Sequence, residues 1–202
     1  MKNIKLSILI PTHNRPKYFE RCLNSVISQL NDETEIIVNN DSNDIIEISH
    51  PQVKYFYNKF NSLCEIYEFL LSQSIGDYVY YLEDDDYLAS NFFNIPLDSD
   101  MIVGNYYPTY SNKHVIQFST IYKDDLIDSN KFLEKLNKED LQLSQHIYKR
   151  DLIKDFMFPK DSNINNDILL TIHAAEKSQT IRTVNKVLYY QTVDAGDNIS
   201  FL

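Results

Sequence analysis

The chain has 202 residues, 43% hydrophobic and 24% charged, with a formal net charge of −10. That length supports one substantial core and one domain. The acid excess, with no basic run, excludes a duplex or RNA ligand and disfavours broad adhesion to anionic lipid, though a local basic patch can still touch a membrane.

Leu6 to Ile10 is nearly apolar and predicts a central parallel strand. This run is too short to span a membrane and shows no signal-peptide cleavage pattern, so cytoplasmic residence is expected. Pro11 cannot donate to a ladder and ends the strand. Asn14 is expected to cap a helix, with Pro16 in its first turn. Phe19, Cys22, Leu23, Val26, Ile27 and Leu30 then share a helical face, leaving Glu20, Arg21 and Asn24 on the wet side. Cys22 and Cys64 are the only cysteines and read as core thiols in a reducing compartment.

Glu35 to Val38 is a second strand, and it runs into six polar residues, Asn39 to Asp44. These form either a surface turn or a ligand-facing loop at the end of a parallel strand. Asp44 is placed to cap a short helix through Ile45, Ile46 and Ile48. Val53 to Tyr57 is a third strand, and Ser62 to Ser74 a helix that ends at Gly76, one of only 3 glycines. A glycine-rich phosphate loop is therefore excluded.

Tyr78 to Leu82 reads as a buried strand of aromatic and β-branched residues. Glu83, Asp84, Asp85 and Asp86 follow without a break. Unpaired carboxylates are costly to bury. Two readings remain: a solvated acidic turn, or a strand that ends in a crevice and delivers carboxylates to a hard cation such as Mg2+ or Mn2+, which in turn wants phosphate oxygens.

The second half is mixed. A helical turn is expected at Ala89 to Phe93, a strand at Met101 to Tyr106, and an extended pair at Tyr107 to Tyr110 and His114 to Phe118. A helix follows over Leu126 to Leu136, a strand over Leu141 to Tyr148, and a short helix from Lys149. An irregular loop over Phe156 to Asn166 leads into a helix over Asp167 to Ser178. A last strand over Val184 to Thr192 and a polar tail from Val193 complete the chain. The first 88 residues thus read β-α-β-(α)-β-α-β, and right-handed crossovers put the loops at Pro11 to Arg15, Asn39 to Asp44 and Glu83 to Asp86 on one sheet edge.

Three segments in this order and spacing resemble the family-two glycosyltransferases of the GT-A fold: Ser7 to Arg15, Glu35 to Ser42 and Tyr78 to Leu88. The resemblance is specific over residues 5 to 90, and beyond 100 it rests on Asn166-Asp167 and the segment from Tyr190 to Ser200. It implies an α/β fold, a single Rossmann-like mixed sheet with helices on both faces. It also implies one catalytic domain over 1–202, with a nucleotide-binding half at 1–100 and an acceptor-binding half at 101–202. The implied activity is transfer of a sugar from a nucleotide-diphosphate sugar to a hydroxyl of a saccharide or lipid-linked saccharide, with inversion and a divalent metal. Members of this size build lipopolysaccharide, O-antigen or capsule, some in peripheral contact with the cytoplasmic face of the inner membrane.

By the same resemblance Pro11, Thr12, Asn14 and Arg15 line the nucleotide. The usual acidic pair after the second strand is Asn39 and Asn40 here, so Asn40 can meet uracil through its carbonyl or cytosine through its amide. The family's Asp-x-Asp falls on Glu83, Asp84 and Asp85, with Glu83 and Asp84 toward the donor and Asp85 as metal ligand. Asp86 and His146 are assigned to the acceptor region or to the surroundings of the metal. Val193 and Asp194 stand where many members carry a histidine. The general base falls on Asp167, whose structural alternative is capping the helix that starts at Ile168. Arg15 either touches the diphosphate or anchors its loop. The five histidines show no zinc-ligand spacing. Tyr106, Tyr107 and Tyr110 are either a sugar-stacking surface or a structural strand pair. A catalytically degenerate nucleotide- or sugar-binding partner of another transferase is the rival reading, and Asn39-Asn40 is its support.

Overall fold

The computed structural model describes residues 3–43, 46–109, 122–136, 142–159 and 166–193, the side chains of Asn166 and Asp167 excepted. Strands β1 (Leu6–Thr12), β2 (Thr34–Asn40), β3 (Val53–Phe56) and β4 (Tyr78–Tyr81) form a parallel half-sheet in the order β3-β2-β1-β4. The sheet continues through β8 (His146–Lys149), β6 (Met101–Thr109), β9 (Ile181–Thr192) and β5 (Tyr87–Leu88), with β7 (Asp125–Ile127) pairing β9. β8 runs antiparallel to β4 and β6, while β6 and β9 are parallel to each other. The C-terminal ends of β1, β2, β4, β6 and β9 therefore share one edge.

β1, β2 and β4 are buried along their whole lengths, as expected of strands covered on both faces. Helix α1 (Pro16–Ile27) covers one face through Phe19, Cys22, Leu23 and Val26, which join Ile8, Ile10, Ile36, Val38 and Tyr80. Helices α2 (Leu63–Gln73) and α5 (Asn166–Lys177) cover the other, where Ile66, Leu70, Leu170 and Ala174 meet Leu9, Ile37, Val79 and Tyr81. α3 (Ser129–Lys135) and α4 (Arg150–Ile153) add Phe132 and Ile153 to this second core.

Several boundaries differ from those expected. Asn14 does not cap α1. It sits at φ 51°, and Arg15 occupies the cap position without a side-chain bond, while Pro16 begins the helix as expected. Ser62 does cap α2, accepting from Glu65 N. The segment 126–136 splits into β7 and α3 because Asp128 accepts from Lys131 N and so starts the helix there. Leu143–Gln145 is a 3₁₀ turn ahead of β8, and β9 begins three residues earlier than expected, at Ile181. The helical turn expected at Ala89 to Phe93 falls at Phe92–Asn94. No helix forms over 46–50, and positions 44–45 lie outside the described residues, as do Tyr110, His114 to Phe118 and the tail from Asp194.

Candidate active site

The acid run leaves β4 at the common edge, and each acid meets a different environment. Asp84 is fully buried. It accepts from Thr12 Oγ1 at 2.8 Å and His13 N at 3.2 Å, and pairs with Arg15 Nη2 at 2.7 Å. Burial pushes its carboxyl up to about 6, against the downward pull of Arg15 and Thr12. Asp85 offers Oδ2 to Arg15 Nη1, and its Oδ1 has no hydrogen-bond partner among the described residues. Its side chain remains 16% exposed. Asp86 is buried and accepts from Thr192 N at 2.9 Å, with burial and then the Asp85 charge raising its carboxyl well above the usual range. Glu83 takes the Tyr67 hydroxyl.

Pro11 lies within β1, opposite Asn39 of β2. Asn14 N donates to Ser42 Oγ and Asn14 Oδ1 accepts from Asn43 N, so the first loop is stitched to the second. His13 joins the same seam, with Nδ1 3.0 Å from the Asp41 carbonyl oxygen. Asn40 is fully buried. Its amide donates to the Tyr55 hydroxyl at 2.7 Å and its carbonyl accepts from Ser42 N at 2.7 Å. Asn39 donates to the Asn58 carbonyl, and its own buried Oδ1 lacks a partner among the described residues. Pro11, Thr12, Asn14, Arg15, Asn40, Glu83, Asp84, Asp85 and Asp86 are thus brought to one edge.

Asn166 and Asp167 begin α5. That helix packs beneath the sheet and is followed by β9, which starts at the opposite edge, so the helix start lies on the loop side. His146 opens β8 on the same side, but its ring is fully buried in the second core. It packs against Phe132 and Tyr148 at 6.4 and 5.8 Å between centroids. Strand alternation sends His146 and Tyr148 to the face that α5 covers, whereas an acceptor-lining role was expected. Nδ1 lies 2.9 Å from the Gln142 carbonyl oxygen, so Nδ1 carries the proton and Nε2 is left with a buried lone pair and no partner among the described residues.

Burial lowers the His146 pKa to about 3 from its usual 6.5. The unfolded chain therefore binds a proton that the folded chain refuses. The resulting stability is present above pH 6.5 and is lost as pH falls toward 3. Between pH 7 and 5 this single group is expected to cost about 2 kcal/mol. Urea denaturation at both pH values should show that difference in the wild type and a flatter response in His146→Gln. Equal pH dependence in the two would remove His146 as the cause.

Two contributors were not expected from sequence. Arg21, assigned to the wet side of α1, donates to the Asp85 carbonyl oxygen and to Thr192 Oγ1 at 2.6 Å, and lies 4.6 Å over the Tyr87 ring. Lys59 donates to the carbonyls of Asp41 and Ser42 at 2.5 Å each. A signal for Arg21 existed. Arg15 and Arg21 are the only arginines in the first half of the chain, and a run of four acids needs counter-ions. The tyrosines at the sheet end form cross-strand stacks, Tyr106 on Tyr189 at 5.3 Å and Tyr107 on Tyr190 at 6.1 Å. Their faces are thus turned toward one another.

Among the described residues, no group of three or more His, Cys, Asp or Glu side chains is placed to hold a metal, and no helix is long and apolar enough to cross a membrane. The hard-oxygen chemistry of Asp85 fits a divalent cation that takes one protein carboxylate and completes its shell with phosphate and water oxygens.

Solved structures share this architecture. The chain superposes on S. aureus TarS 1–349 in complex with UDP-GlcNAc with a TM-score of 0.71 at 23% identity, over 98% of this chain and 61% of that one. A further crystal structure of S. aureus TarS 1–349 gives a TM-score of 0.70 over 94% of this chain and 60% of that one, at 22% identity. The fold class is therefore the mixed α/β GT-A fold, with helices on both faces of one sheet. The sequence profile of glycosyl transferase family 2 matches residues 7–157, and the chain belongs to that family. Curated relatives include glycosyltransferase GlyA of Streptococcus pneumoniae serotype 4, 22% identical over 95% of this chain. An uncharacterized glycosyltransferase of Rickettsia conorii is 23% identical over 98% of it. The chain spans about a third of these relatives' lengths, 31% and 34%.

Proposed function

We propose that this domain transfers a sugar from a nucleotide-diphosphate sugar to a hydroxyl of a saccharide or lipid-linked saccharide. The observation that carries the reading is the acid turn at the end of β4. Three of its carboxylates are spent on the fold, while Asp85 keeps one oxygen unpaired at a partly open position. That arrangement suits a site designed to present one carboxylate to a cation carried by a diphosphate.

Asp85 would hold Mn2+ or Mg2+, which would neutralise charge on the departing diphosphate. Thr12 and Asn14 shape the donor cleft through Asp84 and Ser42, and Arg15 fixes Asp84 and Asp85. The base contact falls to the β2 end, where Asn39 retains an unspent buried acceptor while Asn40 serves Tyr55 and Ser42. Asp167 is the proposed general base, because it starts a helix at the loop edge and a carboxylate there can take the acceptor proton. Residues 1–100 form the nucleotide half and 101–202 the acceptor half of one catalytic domain. Surface-polysaccharide synthesis in the cytoplasm or at the inner face of the membrane is the setting that the family reading favours.

Thermal shift against UDP, GDP, CDP, ADP and dTDP, with and without Mn2+, tests this. A ligand that binds only the folded state raises apparent stability, by about 2.7 kcal/mol at a hundredfold excess over its Kd. A Mn2+-dependent rise with one base class is expected. Folded protein that responds to none of them, with or without the metal, overturns the proposal.

A further inference from the structure

We infer that Arg21 is a positioning residue that locks the Asp85 turn to the end of the last strand, and that this lock sets the strength of cation binding. The inference rests on the donor and cation reading given above.

The two arginines of the site treat the acids differently. Arg15 directs its guanidinium at two carboxylates, Asp84 and Asp85. Arg21 directs its hydrogen bonds at two uncharged oxygens, the Asp85 carbonyl and the Thr192 hydroxyl. A residue present only to neutralise the acid run would take a carboxylate, which answers the guanidinium with an opposite charge and two oxygens. Arg21 reaches the Asp86 charge only through space, while its hydrogen bonds hold the Asp85 main chain and the Thr192 side chain. Its guanidinium carbon lies 4.6 Å over the Tyr87 ring and 5.3 Å over the Tyr18 ring, so two aromatic faces set its orientation. Its Nε is buried with no hydrogen-bond partner among the described residues, an incompletely satisfied cation held in place by its surroundings.

The contacts close a loop. Arg21 binds the carbonyl of Asp85 and the hydroxyl of Thr192, and Thr192 N donates to Asp86 at 2.9 Å. Tyr87, the next residue, pairs with Tyr190 of β9 and stacks on it at 5.0 Å. The turn therefore connects on one side to Arg15 in the first loop and on the other to β9 through Arg21. Partners that orient a ligating carboxylate control metal affinity as the ligand itself does, with losses of about 10- to 100-fold when they are removed.

The test is Mn2+ uptake, alone and with UDP, read by electron paramagnetic resonance of the free ion at a temperature where every variant is folded. Arg21→Gln is expected to bind Mn2+ on the order of tenfold more weakly than the wild type. Both bonds leave the one nitrogen Nη2, and Arg21→Lys, which keeps the charge but loses the planar group that lies over the Tyr87 and Tyr18 rings, should recover only part of that loss. A merely structural role would lower the thermal midpoint and leave the affinity of the folded protein unchanged, so equal affinities in Arg21→Gln and wild type overturn the inference. Should Arg21→Gln fail to fold, Tyr87→Leu removes the ring under the guanidinium and must weaken Mn2+ binding in the same direction, and unchanged affinity there also overturns it. Asp85→Asn separates the two levels. Wild-type uptake that Asp85→Asn abolishes and the Arg21 and Tyr87 variants do not change leaves the function standing and removes the inference. No uptake by the wild type, alone or with UDP, removes the inference together with the cation role of Asp85.

Discussion

Asp85→Asn is expected to abolish the Mn2+-dependent thermal shift and to lower sugar transfer by about a thousandfold or more, equivalent to about 4 kcal/mol of transition-state stabilisation. The substitution is nearly isosteric, and the asparagine carbonyl can still accept from Arg15, so metal-free stability should change little. What disappears is the negative charge on a carboxylate that keeps one oxygen unpaired at a partly open position, where Asp84 and Asp86 are buried. Asp84→Asn makes the contrast. Its carboxylate is buried and spent on Thr12, His13 and Arg15, so its replacement should act on the loop and on stability. If Asp85→Asn kept a full metal-dependent shift, the cation would be held elsewhere and the assignment of Asp85 would fall.

Gly76→Ala is expected to destabilise the protein by about 3 kcal/mol or more and to reduce soluble yield sharply. A Cβ at this position would lie 2.7 Å from Ser7 Oγ, 2.8 Å from Ser7 N and 2.9 Å from the Leu6 carbonyl carbon. Two of these are main-chain atoms of β1, which cannot step aside as a flexible side chain would. The approach also supports a buried polar cluster. Gly76 N donates to Ser7 Oγ at 2.9 Å, Ser7 Oγ donates to Glu35 Oε1 at 2.6 Å, and Ile75 N donates to the same oxygen at 2.8 Å. Displacing Gly76 would strip donors from a buried carboxylate that Lys54 otherwise pairs at 2.8 Å, leaving a costly charge in the core. Gly104→Ala offers the comparison, because the three atoms nearest its Cβ would all belong to the Leu188 side chain, the nearest at 2.6 Å. A Gly76→Ala protein as stable as the wild type in urea would rule out close approach as the reason for glycine there.

The sequence alone determined the parallel half-sheet. The strands at Leu6, Glu35, Val53 and Tyr78 and the helices after Pro16 and Ser62 all carry unambiguous apolar periods, and right-handed crossovers then fix which loops share an edge. It also singled out the acid run, since four adjacent carboxylates after a buried strand demand a chemical explanation. The second half was less legible. Its strands are antiparallel to or inserted beside distant partners, and the pairing of β4 with β8, or of β5 with β9, leaves no local pattern. Long-range pairing also decided the individual roles. Asp84, Asp85 and Asp86 are the same residue type in sequence, and only the approach of Thr12, Arg15 and Thr192 makes two of them structural and leaves one oxygen of the third unpaired. The family resemblance assigned His146 to the acceptor region or the surroundings of the metal, yet pairing with Val103 turned its ring into the core. Arg21 carried the opposite lesson. A helical wheel sends it to solvent, but the acid turn offers it a carbonyl and a ring, and the end of β9 a hydroxyl. Periodicity records which way a side chain leaves its own element. What waits there is settled by segments up to 171 residues away, and that only the tertiary structure decided.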